Sequence, residues 1–350
     1  MYELNARSLL RAFIRRLMKV GEFKTAQGKA NLYAGKTQLA IQLRTVSSKR
    51  PIVLKYKIIR AAIQQTYAHR TITRKDLEDY TKGANSALLG ILIEIFRDSA
   101  RIHRTVTGLI RLTLKGIRYF FAGVDRVKRD LEIAAANGAK FVLMSYVHIR
   151  KRNAWKKHVL RLGLKIMLDS GAFTVWEAAK AGKDSMEKID IDEYILFIKT
   201  HQDVIHSYVN LDVIGNPVSS KKNAKYMKDQ GLKPIEVWHA GSSIYELASL
   251  VREDQAIIAI GGTVGMSEKR RARIFRWVFK LFPDQNFHFL GGSSKLLYSF
   301  PWFSADSTGW IVGRKYGAII DRDGQRKAPH MNPLDALAYN CKYFSSLEAA

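Results

Sequence analysis

Four stretches of this 350-residue sequence carry residue types able to do chemistry. Leu168-Asp169-Ser170-Gly171 sets a carboxylate and a hydroxyl at the end of the apolar run Ile166-Met167-Leu168, and Gly171 permits a sharp turn just beyond. Leu211-Asp212 and Ser304-Ala305-Asp306 end two later runs in the same way, and Gly261-Gly262 ends a fourth. A single Asp-Ser-Gly is accounted for by helix capping. Its repetition at three run ends suggests carboxylates gathered in one place. Carboxylates held together cannot all behave alike, because desolvation and mutual repulsion raise some pKa values while hydrogen bonds lower others. That permits one nucleophile and one acid/base. At a sugar C1′ carbon the first would form a covalent glycosyl-enzyme while the second exchanges a proton with the base. Holding a hard metal ion is the rival use of such a cluster.

The elements that must position these residues read as short apolar strands alternating with amphipathic helices from Ile117 onward. Eight strands are expected: Ile117 to Phe121, Phe141 to Tyr146, Ile166 to Ser170, Tyr208 to Asp212, Ile235 to His239, Ala256 to Gly261, Phe287 to Leu290 and Trp302 to Asp306. Helical spacing lies between them, as in Val124 to Ala136, Ile191 to Gln202, Lys221 to Gln230, Ile244 to Arg252, Glu268 to Phe282 and Ser294 to Phe300, with Asn332 to Tyr343 last. This alternation predicts an α/β fold of the (β/α)8 TIM-barrel type over residues 117–350, with an open doubly wound sheet as the alternative. Ala122-Gly123-Val124 lacks the glycine pattern of a dinucleotide site. In a barrel the strand ends would bring Asp169, Asp212, His239, Gly261, Gly262 and Asp306 to one mouth.

Charge bounds the partner. The chain holds 58 Lys and Arg against 31 Asp and Glu, a net +27, with a pI near 10.1. Such an imbalance points to a polyanion, and a nucleic acid attracts it through phosphate neutralisation. Residues 1–116 alone hold 23 Lys and Arg against 7 Asp and Glu, or +16. Cys341 is the single cysteine, so neither disulfides nor a Cys-rich zinc site can be built, and a reducing, cytoplasmic setting is expected. No metal and no cofactor are expected. No apolar run approaches the roughly 20 residues that span a bilayer. Met1 to Lys19 reads instead as a basic amphipathic helix, which could lie on a membrane but is better placed on the domain or on phosphates.

Residues 1–116 are predicted to form a mostly helical, winged-helix-like domain. Ile52 to Tyr67, a capping-box start at Thr73 and Asp76 leading to Tyr80, and Ser86 to Phe96 supply three helices; Arg101 to Val106 and Leu109 to Leu114 supply a hairpin turned at Thr107-Gly108. The third helix is so apolar (Leu88, Leu89, Ile91, Leu92, Ile93) that much of it must be core, and winged helices also serve as plain protein-interaction modules.

Asp169-Ser170-Gly171-Ala172-Phe173-Thr174-Val175 resembles the Asp-Ser-Gly-Gly-Phe-Gln-Val motif of the tRNA-guanine transglycosylase family. Ala259-Ile260-Gly261-Gly262 is similar to its Ala-Ile-Gly-Gly segment, and His288-Phe289-Leu290-Gly291-Gly292 followed by Phe303-Ser304-Ala305-Asp306 is similar to its Tyr-Leu-Met-Gly segment and nucleophilic Asp. The resemblance covers about residues 117–340. It implies a (β/α)8 barrel that exchanges guanine for a 7-deazaguanine, with Asp306 the nucleophile and Asp169 the proton shuttle. Asp169, Ser170 and Asp212 would hydrogen-bond the base edge, Phe173 and Leu290 would sandwich the base, and the Gly262 N–H would meet its carbonyl. Departures are Thr174 for the family's Gln, His239-Ala240-Gly241 for its Gln-Gly, and the absence of its three-Cys, one-His zinc site. A compact barrel with a basic N-terminal extension resembles the phage and bacterial branch that inserts 7-deazaguanines into DNA, which for a phage chain means the host cytoplasm. The same exchange on tRNA and a non-catalytic DNA-binding protein with a degenerate barrel are the alternatives, and the oligomeric state stays open.

Overall fold

The computed structural model of the chain describes residues 5–45, 50–81, 83–125, 127–152, 154–182 and 188–348. The start of the Met1 to Lys19 helix and Arg126 of the Val124 to Ala136 helix lie outside them. The chain divides into two compact units, with the boundary in sequence between Lys115 and Gly116.

The first unit opens with helix α1 (Ala6–Val20). Asn5 caps it by accepting the Ser8 N–H at 2.9 Å, and Gly21, at φ +85°, ends it with an N–H to the Leu17 carbonyl. Its apolar stripe, Leu10, Phe13 and Leu17, is buried. A four-stranded antiparallel meander follows: β1 (Glu22–Lys24), β2 (Ala30–Lys36), β3 (Ala40–Thr45) and β4 (Ile52–Lys55). Then come α2 (Tyr56–His69), β5 (Thr71–Thr73), a 3₁₀ turn at Lys75–Leu77, α3 (Asn85–Ile95), β6 (Ala100–Arg104) and β7 (Ile110–Leu114), the three strands forming a second antiparallel sheet in the order β5-β7-β6.

The mostly helical expectation is therefore corrected: among the described residues, three α-helices share this unit with seven strands. Ile52 to Lys55 is a strand because its residues alternate between exposed and buried positions against β3. Asp76 does accept from the Thr73 N–H at 2.8 Å and hydroxyl at 2.7 Å. Thr73 itself is committed to β5, however, and the capped segment makes only a 3₁₀ turn. Helix α3 is core, with Ala87 through Leu92 all buried.

The second unit is an α/β fold built on eight parallel strands: β8 (Arg118–Phe121), β9 (Phe141–Ser145), β10 (Lys165–Asp169), β11 (Ile205–Tyr208), β12 (Glu236–His239), β13 (Ile258–Gly261), β14 (Phe287–Phe289) and β15 (Ser304–Ser307). Between them run α4 (Lys128–Ala136), α5 (Tyr146–Ile149), α6 (Ala154–Arg161), α7 (Ala172–Lys180), α8 (Ile191–Thr200), α9 (Pro217–Asp229), α10 (Ile244–Arg252), α11 (Glu268–Leu281) and α12 (Leu296–Ser299). After β15 come α13 (Val312–Tyr316), the hairpin β16 (Ala318–Asp321) and β17 (Gly324–Lys327), and α14 (Pro333–Ser345).

The strands pair in the order β11-β10-β9-β8-β15-β14-β13-β12. Its two outer members are tied by a parallel bridge between Val209 and Ile235, with the Asn210 N–H on the Ile235 carbonyl and the Ile235 N–H on the Tyr208 carbonyl, both at 2.8 Å. The sheet thus curls back on itself, as in TIM-like folds. Alternate residues serve two cores: Ile166, Leu168, Ile258, Ile260, Phe287 and Phe289 pack with the helices, while Phe120, Met167, Val209, Ile235 and Ala259 form a separate inner cluster. The fourth strand needs correction, since it is Ile205–Tyr208 and leaves Asp212 in the loop beyond. Polar His206 and Ser207 hide it in the sequence. His206 is partnered instead by Arg118 at 3.2 Å. No helix among the described residues is long and apolar enough to cross a membrane.

Candidate active site

Two-residue periodicity sets the inner face at the strand ends. Asp169 follows Met167 by two, Gly261 follows Ala259 by two, and Asp306 stands in register with Phe120. His288 is in register with both Ala259 and Ser304, and His239 with Gly261.

Asp169 is the last residue of β10. Its Oδ2 accepts the Gly171 N–H at 2.9 Å, and the Ser170 hydroxyl accepts the Ala172 N–H at 3.4 Å, so the capping role open to an Asp-Ser-Gly turn is filled. Only glycine fits at 171. Its φ is +81°, and a Cβ would stand 2.6 Å from Val147 Cγ2 and 2.7 Å from the Ser145 hydroxyl. The carboxyl of Asp169 is raised to about 6: burial drives it up, the Gly171 N–H opposes, and the charges of Asp306, Asp212 and Asp125 add to it. Asp169 therefore feels the charges of Asp306 and Asp212, and it can both hold and release a proton near neutrality. The Ser145 hydroxyl, in register with Asp169, is buried with no hydrogen-bond partner.

Asp306 lies on β15 and is largely buried. Its Oδ1 accepts from the Gly291 N–H at 3.2 Å and meets His288 Nε2 at 3.1 Å. The fully buried His288 ring bonds the Ser304 hydroxyl through Nδ1 at 2.8 Å, so a ring protonated on Nε2 donates to Asp306 and accepts from Ser304. Oδ2 of Asp306 has no hydrogen-bond partner among the described residues. One oxygen is clamped and the other is unpartnered.

Asp212 sits four residues past β11. Its Oδ2 meets His239 Nε2 at 2.9 Å and its Oδ1 accepts from Asn210 Nδ2 at 3.3 Å, while Asn210 is anchored on the Ser220 carbonyl at 2.9 Å. Gly261 leaves room for these groups. A Cβ there would come within 3.0 Å of Val237 and 3.4 Å of both His239 Nδ1 and the Leu290 side chain. Leu290 is half-buried against the inner cluster, its N–H on the Ile260 carbonyl at 3.3 Å. Gly262 has φ +68° and exposed backbone.

Phe173 is the second residue of α7 and is 45% exposed, its ring stacked on Trp176 at 5.9 Å between centroids. Lys180 Nζ stands 5.1 Å over the Trp176 ring. Phe173 is thus a surface aromatic and not ordinary core. Sequence reasoning passed over His288, Asn210, Ser145 and Trp176 as site residues. His288 could have been found from the two-residue periodicity of its strand; Trp176 could have been found from its i,i+3 spacing to Phe173. Among the described residues no three His, Cys, Asp or Glu side chains are grouped to hold a metal ion.

No family model and no curated protein matches the chain. Among solved structures, the chain is similar to an open, ligand-bound form of tryptophan synthase from M. tuberculosis, at 10% identity and a TM-score of 0.40, covering 67% of this chain and 93% of that one. A second structure of Mycobacterium tuberculosis tryptophan synthase gives 10% identity and a TM-score of 0.42, covering 67% and 94%.

Proposed function

We propose that this protein is a base-exchange transglycosylase that replaces guanine in DNA with a 7-deazaguanine, through a covalent bond between Asp306 and the sugar. The observation that carries the reading is the pairing of an Asp306 clamped on one oxygen and open on the other with an Asp169 that titrates near neutrality. Asp306 Oδ2 attacks C1′ as the C1′–N9 bond breaks, and the departing guanine takes a proton from Asp169. The incoming base then gives its N9 proton back to Asp169 while N9 attacks C1′ and releases Asp306. Atoms and protons balance without any cofactor.

Asp212, Ser170 and the Gly262 N–H are assigned to the base edge, with His239 fixing Asp212. Leu290 and the exposed Phe173 are assigned to the two faces of the base, a role that suits a flat π system. A base reaching strand-end carboxylates must leave a duplex stack, at a cost of a few kcal/mol that backbone contacts can offset. The basic first unit supplies cations for this. Its β5, 3₁₀ turn, α3 and β6–β7 hairpin, in the sheet order β5-β7-β6, support reading that part as winged-helix-like.

The test is nucleoside mass spectrometry of DNA and tRNA from cells that express the chain and are supplied with a 7-deazaguanine. Modified deoxynucleoside with wild type and none with Asp306→Asn is the expected result. Modification confined to tRNA would move the reading to that polymer, and undiminished exchange by Asp306→Asn would end it.

A further inference from the structure

Helices α1 and α2 of the first unit border two cavities, of about 510 and 620 Å³, and Arg7 and Arg60 line both. Lys57 adds to the first and Arg11, Arg15 and Lys36 to the second, while no Asp or Glu among the described residues lines either. None of these six cations has a hydrogen-bond or ion-pair partner in the described protein. The contrast with Arg16 is informative: it stands on another face of α1 and is paired with Glu94. Six unpaired like charges around one groove repel one another, so the arrangement is stabilised only when an anion fills it.

We infer that the α1/α2 groove is the seat of a nucleic-acid phosphodiester backbone, held by Arg7, Arg11, Arg15, Lys36, Lys57 and Arg60. It rests on the nucleic-acid part of the reading above and not on the base exchange. The spacing fits. Arg7, Arg11 and Arg15 recur every four residues, about 6 Å along a helix, close to the roughly 7 Å that separates every second phosphate of one strand along a duplex axis. A membrane surface fits poorly, since a surface-lying helix inserts its apolar side and Leu10, Phe13 and Leu17 are already buried in the unit's own core. Helix α3, the usual reading helix of a winged-helix arrangement, is equally spent on the core.

The experiment uses the full chain and a fluorescent 24-base-pair duplex, with a folded tRNA in a parallel arm, titrated at several salt concentrations. The variant Arg11→Gln/Arg15→Gln/Arg60→Gln is compared with Lys24→Gln/Lys29→Gln/Arg74→Gln, which removes the same charge from exposed positions of the same unit outside the groove. Each lost phosphate contact lowers the log–log salt slope by about 0.9 on a duplex, so the groove variant should lose nearly 3 from the slope and on the order of 100-fold in affinity at 0.15 M salt. The control should change little, and circular dichroism should match wild type for both. Equal losses in the two variants would mean diffuse charge and overturn the groove, as would a wild-type chain that binds neither polymer. Binding to anionic phosphatidylserine vesicles that falls with the groove variant, while nucleic-acid binding holds, would overturn it in favour of a membrane. Because no base exchange is read, these outcomes stand apart from the Asp306→Asn result.

Discussion

Replacing Asp169 with Asn should make the second unit more stable at neutral pH while removing the proton shuttle of the proposed exchange. The carboxyl is raised from its ordinary 3.8 to about 6 by burial, against the Gly171 N–H bond and with help from Asp306, Asp212 and Asp125. A carboxyl whose folded pKa exceeds its unfolded one holds protons more tightly in the folded state between the two values. Stability therefore falls as pH rises from about 4 to 6 and stays low above that. The gap amounts to roughly 3 kcal/mol at pH 7 and only about 0.5 kcal/mol at pH 4. Asn keeps an acceptor for the Gly171 N–H through Oδ1 and carries no charge. After discounting for the side chain's partial exposure, Asp169→Asn should gain about 2 kcal/mol at pH 7. The assay is urea unfolding followed by tryptophan fluorescence, which reports the second unit alone because Trp155, Trp176, Trp238, Trp277, Trp302 and Trp310 are the chain's six tryptophans. A variant less stable than wild type at pH 7, or one with the same gain at pH 4, would refute the argument.

Three further substitutions follow from the packing. Gly171→Ala meets Val147 and Ser145 below 3 Å at a left-handed φ and should cost about 2–4 kcal/mol in the same urea assay; a loss under 0.5 kcal/mol would show that the turn relaxes. His288→Ala leaves the Ser304 hydroxyl without its ring partner and Asp306 Oδ1 with the Gly291 N–H alone, at a cost of about 1–3 kcal/mol, and it should lower kcat of the proposed exchange more than it changes KM because Asp306 loses its positioning ring; an unchanged kcat would deny His288 that role. Glu348→Ala removes the carboxylate that pairs with the buried Arg118 at the start of β8. The loss should be about 3 kcal/mol, the low end for breaking a buried pair, because the Phe141 ring at 3.9 Å and His206 still face the guanidinium; thermal unfolding at wild-type temperature would contradict it.

What could be read from the sequence was local. The Asp169-Ser170-Gly171 turn is specified within three residues, and strands such as Phe141–Ser145 and Ile258–Gly261 announce themselves because both of their faces are buried. What could not be read depends on distant partners. Strand β11 shows polar His206 and Ser207, and the Arg118 that partners His206 lies 88 positions away. The first unit's meander is weakly patterned, with Leu32 and Leu39 exposed. Its β1 is anchored where Phe23 lies against Gly90 of α3, at 3.0 Å from the place a Cβ would take. That close approach is a tertiary fact, invisible to periodicity.

The candidate site shows the same division inside a single constellation. Asp169, His239, Gly261 and Asp306 could each be nominated singly, because each ends or nearly ends a strand, but the residues that stand beside them come from neighbouring strands in register. Ser145 stands level with Asp169, Gly261 with His239, and Ser304 with His288. Register is not written in any one strand. It follows from the curl of the whole sheet, in which the side chains of a row meet only after all eight strands have paired. Asp306 is the clearest case. Ser304 and Asp306 lie two apart on one strand and therefore on one face, and the single His288 of the adjoining strand bridges them through its two ring nitrogens. A histidine at that point is able to fix one carboxylate oxygen while the other stays without a partner among the described residues, an arrangement a carboxylate surrounded by apolar side chains would lack.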